Sequence, residues 1–373
     1  MNENVVDAYP LTPLQRGMFF EALAEPESDV NTAYITFDIA GSVDLEKLNI
    51  AWNKTISRYA TLRTVFLWEG LEQPLQAVLG ECALSIDVET LVASSTKEKN
   101  NLLEDVIDQL RKKPFRMNRA PLMSLRLIKW GESDYTMIWA VHHLLADAWS
   151  APLIIQSVLE RYGSREHQIS GGVEFNFSEF IAHQVSLDDD AISQHWERYL
   201  ADAQSTRFKF TKTALIEFSG GDDGNSRKDA CSCRLDPELE LALNQFCAAS
   251  SITLGTFFHA IWAVVVAAYS DTTRPVFGTL FSGRYQSLPG INDAVGAFIN
   301  ILPVCVSLNE DRSLADWMLA LQSDLQENQS YESVDLLKIR RFFSDSDAAS
   351  VFDSVIVIAV SYTHLTLPTI YSV

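Results

Sequence analysis

One stretch, residues 137–150, constrains the fold more than any other. Residues 137–141 are almost wholly apolar, which predicts a buried strand. His142 and His143 follow where that run stops, and Asp147 comes four residues later. Ser150 is a favourable N-cap for the amphipathic segment that follows it. The pattern therefore predicts a strand, a short polar turn and a helix.

The paired histidines are the first candidates for chemistry. Histidine has a reference pKa of about 6.5, so it exchanges protons near neutral pH. Neighbouring strand residues point to opposite faces, so only one of His142 and His143 can face a given cleft. The other must be buried or hydrogen-bonded elsewhere. A purely structural, hydrogen-bonded histidine at the strand end is the alternative at this stage.

The order His-His-x-x-x-Asp-x-x-Ser resembles the core motif of condensation domains of nonribosomal peptide synthetases, and it also occurs in related acyltransferases. The segment YPLTPLQRGMFF at residues 9–20 is similar to the first motif of that family, in the version of domains that accept a D-configured donor. Thr12, Pro13 and Gln15 also form a helix-capping pattern on their own account. The resemblance runs from residue 8 to about residue 359.

The second family motif matches residues 58–66, and its arginine falls on Arg63. An arginine in this apolar context is expected to be partly buried and to need a carboxylate or carbonyl partner. In the family that arginine pairs with the motif aspartate, here Asp147. The resemblance thus implies that Asp147 clamps the histidine loop and is not a base.

The resemblance also assigns roles within the motif. It implies that His143 is the catalytic residue and that His142, Ala148, Trp149 and Ser150 support it. The family usually has glycine where Ala148 stands. If that position needs a positive φ, alanine is strained there by about 1 kcal/mol. Its methyl group would also narrow a channel.

A later segment resembles the fifth motif region and contributes candidate channel residues. Gly296, Phe298 and Asn300 lie in the run VGAFINILP at residues 295–303. A buried asparagine needs hydrogen-bond partners. A cleft between lobes and a capped strand end are both open as explanations of Asn300.

The implied fold is α/β, with two pseudo-repeated lobes similar to chloramphenicol acetyltransferase and a channel between them. The N-terminal lobe, residues 1–170, carries the histidine motif, and an incomplete C-terminal lobe covers residues 171–359. Gly171 and Gly172 mark the boundary. Residues 360–373 do not continue the family pattern. They look like the translation of a sequencing-library adapter.

The implied reaction is peptide bond formation. The amine of an aminoacyl thioester attacks an acyl or peptidyl thioester, and both substrates are held by phosphopantetheine arms. The expected partners are upstream and downstream peptidyl carrier domains and a neighbouring adenylation domain. The energy of the thioester drives the reaction, so no cofactor or metal of the domain's own is expected.

Two other functions stay open. An epimerisation domain shares the fold and the histidines but inverts an α-carbon; its usual first motif has an aromatic pattern that residues 16–18 lack. A non-catalytic carrier-docking module is the alternative from a different class, supported by Ala148 and by the missing C-terminal end. A heterocyclisation domain has aspartates in place of the histidines, which excludes it.

Composition limits the partners and the compartment. The net charge of −20 argues against nucleic acids and anionic membranes, because both need a basic surface. The N-terminus lacks the basic and apolar regions of a signal peptide, and the uncharged stretch 252–270 favours a buried helix over a membrane span. We expect a cytoplasmic protein with reduced thiols. The five cysteines are too scattered for a zinc site: Cys82, Cys231, Cys233, Cys247 and Cys305.

Overall fold

The computed structural model describes residues 4–163, 175–209, 233–285, 288–308, 311–345 and 350–358. Within these ranges the chain forms two compact units. The first comprises residues up to Leu187 and the returning segment 286–299, and the second comprises 188–285 and 300–360. The boundary predicted at 170/171 and the tail predicted at 360–373 lie outside the described residues. Both stay predictions.

The first unit contains seven strands, five helices and two 3-10 turns, at Ala60–Arg63 and Ile291–Asp293, among the residues described. Its strands are β1 (Val5–Pro10), β2 (Thr32–Ala40), β3 (Thr64–Leu67), β4 (Leu75–Leu79), β5 (Ile86–Thr90), β6 (Met123–Lys129) and β7 (Asp134–His142). Its helices are α1 (Pro13–Ala24), α2 (Leu45–Arg58), α3 (Thr96–Arg111), α4 (Ser150–Gly163) and α5 (Phe177–Ser186).

Strand β7 lies inside the main sheet, whose order is β2-β7-β6-β5. It pairs antiparallel with both neighbours, while β5 and β6 are parallel. Residues 135–142 are buried, which confirms the predicted buried strand. A smaller sheet has the order β1-β4-β3.

Helix α2 packs against one face of the main sheet, which contains β7. The apolar stripe of α2 buries Leu48, Trp52 and Ile56, as its 3.6-residue period predicts. Trp52 meets Trp139 of β7 with ring centroids 5.5 Å apart. These contacts fix β7 from one side, so the loop that follows it starts from a rigid strand end.

The second unit has its own sheet, in the order β10-β8-β9. Its described elements are α6 (Asp189–Tyr199), α7 (Pro237–Ala249), α8 (Leu254–Ser270), β8 (Val276–Phe281), β9 (Asn300–Cys305), α9 (Leu314–Ser330), α10 (Leu336–Arg340) and β10 (Val355–Ile356). The mixed α/β class is thus confirmed. No single described helix is long and apolar enough to cross a membrane; α7 and α8 pass that test only as a pair bent by 102°.

Candidate functional site

The histidine loop joins the end of β7 to the start of α4. The backbone N–H of His142 donates to the Leu122 carbonyl, and that of His143 donates to the Asn31 carbonyl at 2.8 Å. The loop is therefore anchored on both sides of β7. His142 is buried, whereas His143 is only partly buried and lines a cavity.

His142 is held as a neutral imidazole. Its Nδ1 accepts a hydrogen bond from the Leu144 N–H at 3.2 Å, so its proton lies on Nε2. Burial, with a smaller effect of neighbouring His143, lowers the pKa of His142 to about 4. At neutral pH this residue supports the loop and carries no charge.

His143 is also kept unprotonated. Burial lowers its pKa, and the Ala146 backbone and the Asp147 carboxylate offset this only in part. Nδ1 is buried without a partner that meets hydrogen-bond geometry. An imidazole with a lowered pKa is neutral at pH 7, so it can accept a proton or a hydrogen bond.

Asp147 holds the loop to its surroundings. Oδ1 accepts from the Ser150 N–H at 2.8 Å and from the Ser150 hydroxyl at 2.7 Å, and Oδ2 accepts from the Phe298 N–H at 3.2 Å. The carboxylate therefore accepts the first free N–H of α4. The predicted N-cap at Ser150 is wrong in detail, because Ser150 is the first helical residue and Asp147 supplies the cap.

A second set of bonds joins the loop to the segment near residue 296. The Asp147 N–H donates to the Gly296 carbonyl at 3.1 Å, and the Gly296 N–H donates to Ser150 Oγ at 3.0 Å. We call the hydrogen bonds among Asp147, Ser150, Gly296 and Phe298 the latch. All four residues belong to the first unit, although the chain separates them by some 150 positions.

The segment that contains Gly296 and Phe298, which we call the latch segment, has no room for a side chain at position 296. A Cβ on Gly296 would lie 2.4 Å from the Phe177 ring. Phe298 packs edge-on against Phe177 and Phe180, with ring centroids 5.0 and 4.8 Å apart. Because glycine has no side chain, the aromatic cluster of Phe177, Phe180 and Phe298 can pack directly against the backbone at this position.

The predicted pairing of Arg63 with Asp147 is wrong. The Arg63 guanidinium donates to the carbonyls of Leu79 and Gly80, the latter at 3.2 Å. Backbone oxygens meet the need that its partly buried position creates. Asp147 does act as a clamp in this structure, but through Ser150 and the latch segment.

The condition for strain at Ala148, a positive φ, is not met. Among the described residues other than glycine, positive φ occurs at Asp202, Ser251 and Asp271, and Ala148 is not one of them. Alanine is therefore accommodated, and its methyl group lies on the wall of the His143 cavity. The adjacent Trp149 donates its indole N–H to the Asn292 carbonyl at 3.0 Å, which adds a contact between the same two segments.

The three predicted channel residues are all buried. Gly296 and Phe298 pack in the aromatic cluster, and neither lines the His143 cavity. Asn300, the first residue of β9 in the second unit, donates its amide to the carbonyls of Glu332 and Val334 at 2.8 Å. These contacts match the capped strand end that was one of the two explanations. A channel role for the three residues stays a prediction.

Sequence reasoning found Gln15 but missed its contact with the site. The capping box of Thr12 and Gln15 is confirmed. The amide of Gln15, which is buried, also donates to the Leu144 carbonyl at 2.8 Å and bonds to Gln76. Gln15 of helix α1 therefore supports the histidine loop through the Leu144 carbonyl. No local signal reveals a contact across 129 positions.

The cavity beside His143 has a volume of about 790 Å³. Strands β2 and β7, the histidine loop and α4 surround it, and most of its surface is apolar. Its lining residues are Ala33, Ile35, Thr36, Phe37, Trp139, Val141, His143, Ala146, Asp147, Ala148, Ala151, Pro152, Ile155, Gln156, Leu159 and Glu160. Over the described residues, no group of three or more His, Cys, Asp or Glu side chains could hold a metal ion.

Comparison with known proteins identifies the family. The family model described as "Condensation domain" matches residues 5–367. A linear gramicidin synthase of Brevibacillus parabrevis is 30% identical over 95% of this chain and 5% of its own length. The chain thus spans about a twentieth of that relative.

Solved structures show the same fold. The condensation domain of monacolin K polyketide synthase matches with a TM-score of 0.72 at 17% identity, over 94% of this chain and 81% of that one. The first condensation domain of the CDA synthetase matches at 0.71 and 16%, over 95% and 83%. These matches confirm the predicted two-lobed, chloramphenicol-acetyltransferase-like fold. Since the family model covers nearly the whole chain, the chain belongs to the condensation domains of nonribosomal peptide synthetases.

Proposed function

We propose that this domain forms a peptide bond between two carrier-bound substrates. The amine of a downstream aminoacyl thioester attacks the carbonyl of an upstream acyl or peptidyl thioester. The new C–N bond replaces the C–S bond, the upstream thiol leaves, and the attacking nitrogen loses one proton. The observation that carries this proposal is the position of His143, whose pKa is lowered by burial, on the wall of a large cavity.

His143 suits the proton step of this reaction. Its lowered pKa leaves an unprotonated ring nitrogen at neutral pH, which accepts the proton that the attacking amine loses. Asp147 bonds to Ser150 and Phe298, so its role is to hold the loop and not to orient the ring as a triad carboxylate does. Alignment of amine and carbonyl supplies the rest of the rate enhancement.

The proposal implies the partners. Both substrates arrive on phosphopantetheine arms of peptidyl carrier domains, and an adenylation domain loads the downstream carrier. A chain with a net charge of −20 is poorly suited to nucleic acids or anionic membranes, which is in keeping with a cytoplasmic assembly.

Product identity tests the proposal. The purified domain is offered a peptidyl-loaded upstream carrier and an aminoacyl-loaded downstream carrier, and the acyl groups on each carrier are identified by mass spectrometry and chiral chromatography. We expect an elongated peptide on the downstream carrier. His183→Ala, a change in α5 outside the cavity, is the matched control and should leave the yield unchanged.

The same assay, together with a measurement of binding to the two loaded carriers, separates the two alternatives. Racemisation of the upstream residue without elongation would establish an epimerase. Binding of both carriers without any bond formation would establish a docking module. The conformational argument for the docking module is gone, because Ala148 does not need a positive φ.

A further inference from the structure

The cavity beside His143 continues well beyond the histidine. Its floor consists of side chains from the paired strands β2 and β7, where Ala33 lies opposite Val141 and Ile35 opposite Trp139. These four share one face of the sheet, because alternate residues point the same way. These four side chains make this part of the floor apolar, and Thr36 of β2 adds a polar group to the lining.

Helix α4 forms the opposite wall. Ala151, Ile155 and Leu159 recur every four residues and so lie on one face of the helix, which lines the cavity. From Ala151 to Glu160 a helix rises about 14 Å. The cavity is therefore elongated along α4, with His143 and Ala148 at the end where the helix begins.

Polar groups lie at the two ends of this space. His143 and Asp147 mark the end near the loop, and Gln156 and Glu160 mark the other. The Gln156 amide donates to the Glu160 carboxylate at 2.9 Å. Between these ends the walls are mostly apolar. Binding of an apolar group there is therefore favourable, and burial of an isolated carboxylate is unfavourable.

We propose that this cavity binds a large apolar side chain of the residue being joined at His143. The proposal rests on the proposed function and names its substrate class. A volume of about 790 Å³ falls within the range of about 300–1,000 Å³ typical of small-molecule pockets. It exceeds what alanine or serine would fill, and the Glu160 charge at the far end disfavours acidic side chains.

Either reacting partner can supply this side chain, so the test has two arms. In one arm the upstream residue is Phe, Leu, Ala or Glu against a constant alanyl acceptor. In the other arm the downstream residue is varied against a constant donor. In one arm and not in both, single-turnover rates should be at least about tenfold higher with Phe and Leu than with Ala and Glu. A tenfold difference corresponds to the apolar contact of one or two methylene groups.

Filling the cavity tests the location. Ala151→Phe places a ring in the space, and Leu159→Trp does so further from the latch, in case the first variant fails to fold. Each should abolish the preference for Phe over Ala, because the added ring occupies the space that the Phe side chain would fill. Ala248→Phe, the same change on the exposed face of α7, is the matched control.

Two results would overturn the inference: no preference for apolar residues in either arm, or a preference that both filling variants leave unchanged. If wild type forms no product with any pair, the proposed function fails separately. Binding of Phe-loaded and Ala-loaded carriers then decides the inference alone. Tighter binding of the Phe-loaded carrier, lost in the filled variants, supports it, and equal binding contradicts it.

Discussion

Ser150 has one hydroxyl proton, and three polar atoms of the described residues lie at hydrogen-bond distances of 3.0 Å or less from its oxygen. These are Asp147 Oδ1 at 2.7 Å and the N and O atoms of Gly296, both at 3.0 Å. The carboxylate is the nearest acceptor and carries a charge, so we assign the proton to it. The Gly296 N–H then donates to Ser150 Oγ. A single hydroxyl thus connects the loop to the latch segment.

Loss of the Asp147 carboxylate should destabilise the fold strongly. Asp147→Ala removes the charged acceptor that three buried donors share, so we expect the free energy of unfolding to fall by about 3 kcal/mol or more. Asp44→Ala is the control, because Asp44 caps α2 at an exposed site and should cost about 1 kcal/mol. Equal losses in urea titrations would contradict the latch.

The titration of His142 should appear in the pH dependence of stability. Its folded pKa of about 4 lies below the value of about 6.5 in an unfolded chain, so acid favours the unfolded state. Its contribution is complete above pH 6.5 and is lost as pH falls toward 4. Between pH 7 and 4.5 we expect wild type to lose about 2–3 kcal/mol more than His142→Asn. Parallel losses would show that His142 is not buried as a neutral ring.

At the scale of elements, sequence patterns predicted the features that depend on residues close together in the chain. The buried strand β7, the stripe of α2 and the capping box of α1 follow from an apolar run, a 3.6-residue period and cap chemistry. The partners of Arg63 and Asp147 depend on how distant segments pack. No property of the neighbouring residues distinguishes a carboxylate partner from a carbonyl for Arg63.

Helix α1 should affect the reaction through Gln15. Gln15→Glu places a carboxylate oxygen against the Leu144 carbonyl, so the loop that carries His143 should shift. We expect the condensation rate to fall about tenfold or more, since small misplacements of a catalytic group are costly. Thr12→Ala removes the helix cap and keeps the Leu144 contact. It should lower the melting temperature with little change in rate. If the two variants affect the rate equally, Gln15 acts only through helix stability.

At the scale of the whole molecule, the first unit is not continuous in sequence. Residues 286–299 return to it, and Gly296 and Phe298 complete both the latch and the aromatic cluster. The family resemblance predicted that these residues lie at a channel. Similarity of a motif indicates where residues lie along the chain, but it does not indicate which residues they contact. Their contacts with Phe177 and Asp147 emerge only when distant segments are packed together.

Gly296→Ala should reveal that packing. The new methyl group overlaps the Phe177 ring, so we expect a loss of about 1–3 kcal/mol in the free energy of unfolding. Phe177→Leu makes room, and the double variant should recover about 1 kcal/mol or more relative to additivity. Gly17→Ala in α1 is the control, since apart from the adjacent residues and the helix's own backbone no atom lies within 4 Å of its Cβ position. Strict additivity of the first pair would contradict the contact.

The proton-accepting role of His143 is the central claim, and the single-turnover condensation rate of His143→Ala tests it most directly. The variant must first show a wild-type melting curve. With both carriers loaded, we expect the rate to fall about 100-fold or more at pH 7. Because the pKa of His143 is lowered, the wild-type rate should hold steady from pH 8 to pH 7 and decline only in more acidic solution. A folded His143→Ala domain that forms the peptide at the wild-type rate would contradict the account.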